Sequence, residues 1–235
     1  MLRTVIAEQL DQMEANDPRA LAARRDLRRI HHVMGTRRIL LQALEQTHAT
    51  HGHALRILEF GAGDGTLMLG VAKVLARTGM RARIVLLDRK PCVSRSTINA
   101  YARIGWTAEA TVMDVESWAK APQSGAFDAI VTTLFLHHFT ATSLKRLLGA
   151  AAATCKIFIA CEPRRDAIAL MASRLVGLLG ANSVTRTDAV LSVRAGFRGR
   201  ELSHLWPDDR RWRAQEYRAG MFSHCFRASR APRDA

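Results

Sequence analysis

A glycine-rich loop at residues 61–65 is the first feature of the chain whose residue types could do chemistry. It reads Gly-Ala-Gly-Asp-Gly, follows an apolar run at residues 56–60 and precedes an apolar helix predicted to begin near Thr66. Glycines let the backbone take positive φ and approach a ligand closely, and the free N–H groups of a helix start can meet polar groups. Because Thr66 stands where a dinucleotide fingerprint has its third glycine, the spacing disfavours a nicotinamide dinucleotide as the ligand.

Three carboxylates are predicted at the ends of three successive strands, beside this loop. Glu59 precedes the first glycine by two residues and suits a ligand with a cationic amine. Asp88 ends the next strand, where a carboxylate can accept hydrogen bonds from both hydroxyls of a ribose. Asp114 follows the third strand and could accept from an adenine amino group while Val115 packs on the ring. Each acid alone is more often a cap or turn residue, but the set predicts a ligand of the adenosine type.

The elements that must position these residues alternate between short apolar runs and helical patterns, which is typical of βαβ units. Strands are predicted at residues 56–60, 83–87, 110–113, 129–132 and 156–160, and helices at about 65–78, 91–104, 140–153 and 166–179. After a short helix at 199–205, two alternating segments, 212–217 and 222–227, predict an antiparallel hairpin at the sheet edge. The prediction is therefore an α/β fold: a doubly wound, mostly parallel, seven-stranded sheet with an antiparallel edge strand.

The first 50 residues predict a helical N-terminal extension that precedes the sheet. Apolar residues recur at helical spacing between Leu21 and Leu44, and Gly35 is the expected break. We treat residues 1–50 as a helical cap and residues 51–235 as the α/β domain.

The motif residues resemble those of class I S-adenosylmethionine-dependent methyltransferases, which have a Rossmann-like fold. Residues 57–65 (ILEFGAGDG) resemble the first motif of that class, with Glu59 where Asp is commoner. Asp88 matches the ribose-binding acid, Asp114 the adenine-contact motif, and residues 127–139 resemble the fourth-strand motif of the small-molecule branch. The resemblance covers about residues 50–165. It implies that residues 51–235 form the methyltransferase domain and that S-adenosylmethionine is the cofactor.

The resemblance also implies a set of cofactor-binding residues. In that class the glycine loop passes beneath the methionine moiety, and residues after the fourth strand face the sulfonium. Carried over by position, the set is Glu59, Gly61, Ala62, Gly63, Asp88, Arg89, Asp114, Val115, Thr132 and Thr133. No metal site is predicted. Residues 183–194 resemble a lid region that shapes the substrate pocket in related enzymes.

His137 and His138 are the candidate catalytic residues. Methyl transfer to a nucleophile is an in-line displacement, so an enzyme must chiefly position and desolvate the acceptor. A hydroxyl acceptor also benefits from a general base, and the pKa of histidine suits neutral pH. Adjacent helical residues point about 100° apart, so at most one of the two is expected to face the cofactor. We take His138 as the nominal base.

The predicted acceptor is a small molecule, with oxygen favoured over nitrogen or carbon. By analogy to the family we expect a phenol, a quinol or a polyketide-like hydroxyl. Two guanidinium groups, those of Arg164 and Arg165, follow the fifth strand and could hold an anionic substrate group, although solvated side chains are the more common arrangement. A non-catalytic protein that binds S-adenosylmethionine remains an alternative.

The net charge of +14 raises nucleic acid as a rival acceptor. Enzymes that methylate base amino groups resemble one another in an Asn- or Asp-Pro-Pro-Tyr sequence after the fourth strand, whereas residues 132–135 here read Thr-Thr-Leu-Phe. Only five of the 35 basic residues are lysines, and this arginine bias, together with the alanine richness, is typical of a biased genome composition. We therefore expect a nucleic-acid acceptor to be the less favoured alternative.

The remaining composition predicts a cytoplasmic protein without a transmembrane segment. No stretch resembles a signal peptide, and no run of about 18 uncharged apolar residues occurs. The four cysteines are widely spread, so they predict reduced thiols rather than a zinc site or disulfides. The oligomeric state is not indicated by any pattern in the sequence.

Overall fold

The structure, a computed structural model, describes residues 1–48, 54–121 and 127–231. Within these ranges seven strands form one sheet in the order β3-β2-β1-β4-β5-β7-β6. The strands are β1 Leu55–Phe60, β2 Ala82–Asp88, β3 Thr107–Val112, β4 Phe127–Thr133, β5 Cys155–Pro163, β6 Trp212–Ala219 and β7 Ser223–Arg230. Strands β1 to β5 are parallel, and β7 pairs antiparallel with both β5 and β6.

Helices cover both faces of the sheet. They are α1 Gln9–Gln12, α2 Pro18–Val33, α3 Thr36–His48, α4 Thr66–Leu75, α5 Arg95–Arg103, α6 Val115–Lys120, α7 Ala141–Thr154, α8 Ala167–Arg174, α9 Ser183–Ala195 and α10 Glu201–Leu205. Short 3-10 turns lie at Ala76–Thr78, Leu136–His138 and Val176–Leu179.

Alternation along the strands divides the core in two, because successive side chains point to opposite faces. Ile57 belongs to a cluster with residues of α3, α4 and α5, whereas Leu58 belongs to a cluster with residues of α6, α7 and α10. Helix α7 shows the matching pattern, since Leu144, Leu147, Leu148 and Ala151 are buried at spacings of three and four residues. The doubly wound sheet predicted from the sequence is confirmed.

The five predicted parallel strands and the terminal hairpin are all present, with shifted bounds. The third strand begins at Thr107 rather than at residue 110. Its first residues were not predicted as strand because an exposed edge strand contains polar residues, such as Glu109, and lacks a continuous apolar run. The antiparallel strand β7 lies between β5 and β6, so the outermost strand is β6.

Two helices were not predicted, α6 and α9. Asp114 caps α6, and Asn182 caps α9 by accepting a hydrogen bond from the backbone N–H of Thr185. Helix α9 was not predicted because its buried side includes the polar residues Thr185 and Asp188, which interrupt the apolar pattern of a helix.

The predicted helical N-terminal extension is confirmed by α1, α2 and α3, but the first eight residues are neither helix nor strand, and residues 49 and 50 lie outside the described ranges. The initial stretch continues through α1 to Met13, and we call residues 1–13 the N-terminal segment. The backbone N–H of Thr4 donates to the carbonyl of Arg194 at 3.1 Å, and the Arg3 Nε donates to the carbonyl of Ala195 at 2.7 Å. Tertiary hydrogen bonds to the end of α9 therefore replace the helical ones.

None of the helices in the described ranges has the length and apolar character needed to span a bilayer.

Candidate active site

The glycine loop is tied to the end of β2 by backbone hydrogen bonds. The N–H of Ala62 donates to the carbonyl of Leu87 at 3.1 Å, and the N–H of Gly63 donates to Asp88 Oδ2 at 2.8 Å. Gly61 and Gly63 have φ of +64° and +55°, a region that side-chain-bearing residues rarely adopt. A Cβ at Gly61 would also lie 2.4 Å from Phe135 Cδ2, so only glycine fits there.

The carboxylate of Glu59 is buried near this loop, and one of its oxygens lacks a hydrogen-bond partner among the described residues. The residue is 2% exposed, and its Oε2 has no hydrogen-bond partner among the described residues. Burial raises the pKa of Glu59 well above its ordinary value, and the nearby Asp88 and Asp64 raise it further. A cationic ligand group would give Oε2 a hydrogen-bond partner and would stabilise the ionised carboxylate, since a buried charge is costly unless it is paired. The site thus fits the amine of S-adenosylmethionine.

Asp88 lies at the end of β2 with both oxygens already in use by the backbone. Oδ1 accepts from the N–H of Lys90 at 2.9 Å, and Oδ2 accepts from the N–H of Gly63. A carboxylate has about four lone-pair sites, so the group retains acceptor capacity for ribose hydroxyls. The backbone contacts also orient it.

The remaining residues of the predicted cofactor set are in different environments. Asp114 Oδ1 accepts from two N–H groups at the start of α6, and Val115 is buried. Arg89 pairs with Asp11 of the N-terminal segment at 3.1 Å. Thr132 is fully buried, and its hydroxyl has no partner among the described residues.

A cavity of about 150 Å³, which we call the loop cavity, brings part of the predicted set together. Its lining includes five residues of the cofactor set, Glu59, Gly61, Ala62, Gly63 and Thr133, and both candidate catalytic residues, His137 and His138. Asp88, Arg89, Asp114, Val115 and Thr132 lie outside its lining. Its far wall consists of residues of α2 and of the N-terminal segment, which sequence reasoning did not assign.

His137 is held between two carboxylates. It follows β4 in the 3-10 turn, with its Nδ1 2.8 Å from Glu162 Oε2 and its Nε2 3.2 Å from Glu8 Oε1. Burial alone would lower the pKa of His137, but the hydrogen bonds to Glu162 and Glu8 outweigh it and raise the pKa to about 9. The ring is therefore an imidazolium at neutral pH, and both nitrogens donate.

Glu162 also shapes the turn that carries both histidines. Its carboxylate accepts from the backbone N–H groups of Phe135 at 3.1 Å and Leu136 at 3.0 Å. Leu134, just before them, has a φ of +48°, an uncommon value for a residue with a side chain. The β5 carboxylate thus compensates for a strained loop by satisfying its N–H groups.

His138 has a different environment from its neighbour. Its Nδ1 lies 3.1 Å from Asp11 Oδ2, its side chain is 18% exposed, and it lines the loop cavity. The two imidazole centroids are 4.2 Å apart. A carboxylate at Nδ1 leaves Nε2 as the nitrogen that can exchange a proton.

The N-terminal segment covers this end of the sheet and supplies the partners of both histidines. Asp188 of α9 accepts from the N–H groups of Gln9 and Leu10, both at 2.9 Å. The Lys90 Nζ donates to the carbonyl of Leu10 at 2.9 Å. Glu8 and Asp11 were not predicted as site residues, because no local pattern connects them to histidines about 130 residues away.

A second, larger cavity of about 350 Å³, the apolar cavity, adjoins the first. It lies among α2, α8, the Val176–Leu179 turn and α9, and most of its lining is aliphatic. Residues common to both cavities are Glu8, Leu10, Leu27, Leu134 and Ser192. The Ser192 hydroxyl donates to Glu8, so polar groups are concentrated where the cavities meet.

Arg164 and Arg165, considered above as holders of an anionic substrate, are buried in ion pairs. Arg164 pairs with Asp166, and Arg165 pairs with Glu201. Neither lines the loop cavity or the apolar cavity.

Comparison with known proteins connects this geometry to an activity. Residues 57–157 match a family model described as a methyltransferase domain. A search of curated protein sequences finds no significant match.

Solved structures of low sequence identity share the fold. The plantazolicin methyltransferase BpumL in complex with SAH is 12% identical with a TM-score of 0.62, and 92% of each chain is covered. The magnesium protoporphyrin IX methyltransferase ChlM from Synechocystis PCC 6803 with bound SAH is 14% identical with a TM-score of 0.51, over 86% of this chain and 84% of that one. A putative O-methyltransferase from Nostoc punctiforme PCC 73102 is 11% identical with a TM-score of 0.55, over 83% of this chain and 56% of that one.

The sequence-based assignment is thereby confirmed at the level of fold, cofactor and reaction class. The domain match covers the glycine loop, β2, β3 and β4, which carry the proposed cofactor contacts. The match over residues 57–157, together with the shared Rossmann-like fold, indicates an S-adenosylmethionine-dependent methyltransferase domain.

Proposed function

We propose that the protein transfers a methyl group to a hydroxyl of a small, largely apolar acceptor that binds in the apolar cavity. The observation that carries this proposal is the junction of the two cavities at Glu8, Leu134 and Ser192. An aliphatic lining selects an apolar acceptor, and hydrogen-bond acceptors at one end select a donor group such as a hydroxyl. The acceptor is thus oriented with its polar end toward the cofactor side.

On the cofactor side, each residue has a distinct role in this proposal. Glu59 holds the amine, Asp88 the ribose hydroxyls, and Gly61 and Gly63 let the backbone approach. Asp114 and Val115 serve the adenine, and Thr133 lines the site, whereas the buried Thr132 lies outside its lining. When bound, S-adenosylmethionine supplies an electrophilic methyl group. We assign Arg89, through its pair with Asp11, to holding the N-terminal segment.

His138 is the general base of the proposed reaction, and Asp11 positions it. The contact of Asp11 with Nδ1 leaves Nε2 to accept the hydroxyl proton as the new oxygen–carbon bond forms. His137 is a positioning residue, because a protonated ring that donates to two carboxylates has no lone pair for a proton. It holds Glu8, and with it the N-terminal segment, against the turn that carries His138.

Calorimetric titration with S-adenosylhomocysteine, with NADH as control, tests the cofactor side first. Saturable micromolar binding of the former alone is expected, and binding of NADH alone would overturn the assignment. A panel of phenols, quinols, amines and RNA with labelled S-adenosylmethionine then tests the acceptor. Product methylated on nitrogen or on RNA would contradict the proposed hydroxyl.

The base assignment is tested by His138→Asn, with His204→Asn as the matched control at an exposed histidine of α10. Turnover should fall by about 10²-fold in the first variant, at nearly unchanged cofactor affinity, because general-base catalysis contributes roughly that factor. The control should keep full activity. An H138N enzyme with full turnover would leave positioning alone as the mechanism.

A further inference from the structure

We call residues 167–179 the outer segment. An ordinary surface helix buries its large apolar side chains, whereas this segment buries small residues and exposes the large apolar ones. The small residues Ala169 and Ser173 are buried against the protein. The large aliphatic residues point outward, with exposed fractions of 57% for Ile168, 57% for Met171, 53% for Leu175, 83% for Leu178 and 48% for Leu179. Soluble proteins rarely concentrate such side chains on one exposed segment, and patches of this kind mark interaction sites.

The exposed patch is continuous with the apolar cavity. Leu175, Leu178 and Leu179 contribute to the lining of that cavity as well as to the surface, as do Ala169 and Ala172 from α8. An apolar molecule could therefore pass from the patch into the cavity without crossing a polar surface. A partner bound on the patch would therefore lie against this wall of the proposed acceptor site.

The outer segment itself carries one basic side chain, that of Arg174, and no acidic one. Between residues 167 and 187 the sequence contains two arginines, Arg174 and Arg186, and no acidic residue. Arg186 packs along the backbone at Gly177, and Arg29 from α2, which pairs with Asp26 at 3.0 Å, reaches toward Gly180. The whole chain carries a formal charge of +14, so an anionic partner is favoured.

These features together favour the surface of an anionic lipid bilayer over a protein partner. The outward side chains are flexible and aliphatic, and the patch offers no aromatic anchor or hydrogen-bonding group at its centre. A short segment with aliphatic side chains on one side and arginines at its margins can enter the boundary between headgroups and acyl chains. Arginines near the surface add electrostatic attraction to anionic lipids.

We propose that residues 167–179 dock the protein on an anionic membrane and admit a lipophilic acceptor from the lipid phase directly into the apolar cavity. The second half of this statement rests on the proposed function, since it takes the apolar cavity as the acceptor site. The docking itself requires neither cofactor nor acceptor. It is therefore testable apart from methyl transfer.

The experiment is co-sedimentation of the full chain with sucrose-loaded vesicles of phosphatidylcholine alone or of phosphatidylcholine with phosphatidylglycerol. We expect binding to the anionic vesicles that weakens as salt is added, and little binding to the neutral ones. The double variant I168D/M171D should lower the partition coefficient by at least about tenfold, because each large aliphatic side chain contributes that much when buried. Neither residue lines the apolar cavity.

The matched control is Val112→Asp on the edge strand β3, where the wild-type residue is 58% exposed. This variant should bind the anionic vesicles like the wild type, and far-ultraviolet circular dichroism with S-adenosylhomocysteine titration checks that both variants are folded. Equal partitioning of I168D/M171D and wild type would overturn the docking site. Absence of wild-type binding, with a concentration-dependent dimer that I168D/M171D abolishes, would show that the patch joins two copies instead. Either failure leaves activity on a water-soluble acceptor unaffected, so it is distinguishable from failure of the proposed function.

Discussion

The loop cavity and the apolar cavity are neighbours, but different kinds of contact hold their walls. The loop cavity is built largely on strand ends, where ladder hydrogen bonds and the contacts of Gly63 with Asp88 set the backbone. The apolar cavity is enclosed by helices and by the N-terminal segment, which is attached through side chains such as Asp188. Since side-chain contacts rather than ladder hydrogen bonds attach the N-terminal segment, we expect the acceptor side to open more easily than the strand ends.

The Glu8–His137–Glu162 group connects the two sides. Glu162 comes from β5, His137 from the turn after β4 and Glu8 from the N-terminal segment. Burial alone would raise the pKa of Glu8, but the hydrogen bond and charge of His137 hold it below its ordinary value. Changes in this group should affect both sides, whereas changes elsewhere should affect only one.

The largest expected effect is the loss of stability in His137→Gln. Removing the imidazolium leaves two buried carboxylates without their cation, which costs about 3–5 kcal/mol for a buried pair. Urea denaturation measures the change in the free energy of unfolding. His138→Gln is the control at the adjacent ring and should cost less than about 1 kcal/mol, as for a partly exposed ion pair. Equal losses in the two variants would contradict the separate roles.

The titration of His137 should make the free energy of unfolding depend on pH. His137 has a pKa of about 9 in the folded protein against an ordinary value of 6.5, so its contribution to stability is complete below pH 6.5 and is lost as the pH rises through 9. Since one pKa unit corresponds to about 1.36 kcal/mol, the raised pKa of His137 contributes about 3 kcal/mol to the free energy of unfolding. Thermal or urea unfolding of the wild type between pH 6 and 10 measures it. The free energy of unfolding should vary much less with pH in His137→Gln than in the wild type. The same pH dependence in both proteins would assign the effect to other groups.

On the cofactor side alone, Asp88→Ala should weaken binding of S-adenosylhomocysteine by roughly 1.5–3 kcal/mol, the range for hydrogen bonds to charged groups. Calorimetry measures the affinity. Hydrogen exchange of the N-terminal segment should stay as in the wild type, because Asp88 does not contact it in the described structure. Asp209→Ala, at an exposed pair with Arg211, is the matched control and should bind normally. Unchanged affinity in Asp88→Ala would remove the ribose assignment.

The smallest effect is expected on the acceptor side, from Asp188→Ala. Loss of the bonds to the N–H groups of Gln9 and Leu10 should favour opening of the N-terminal segment by about 1–2 kcal/mol. Hydrogen exchange of residues 1–13 should accelerate about tenfold, and the KM for the acceptor should rise while cofactor affinity changes little. Loss of cofactor binding together with this opening would contradict the division into two independently held sides.

Much of the fold and part of the candidate site could be predicted because their signals are local. Gly61 and Gly63 must be glycines for backbone reasons, and Glu59 and Asp88 lie at the ends of apolar strands, so their neighbours in sequence identify them. The reaction class also followed from these motifs. The functions of the individual residues stay predictions until the variants are measured.

The tertiary structure alone decided the roles we assign to the two histidines and the form of the acceptor side. The residues His137 and His138 are adjacent and of one type, so local pattern could not separate them. Their different partners, Glu8 with Glu162 and Asp11, come from distant parts of the chain. The apolar cavity likewise depends on how α2, α8 and α9 pack around the N-terminal segment. The sequence by itself determined the strand ends and the glycine loop, because those depend on neighbouring residues; the protonation state of His137 and the enclosure of the apolar cavity depend on long-range contacts that form only on folding.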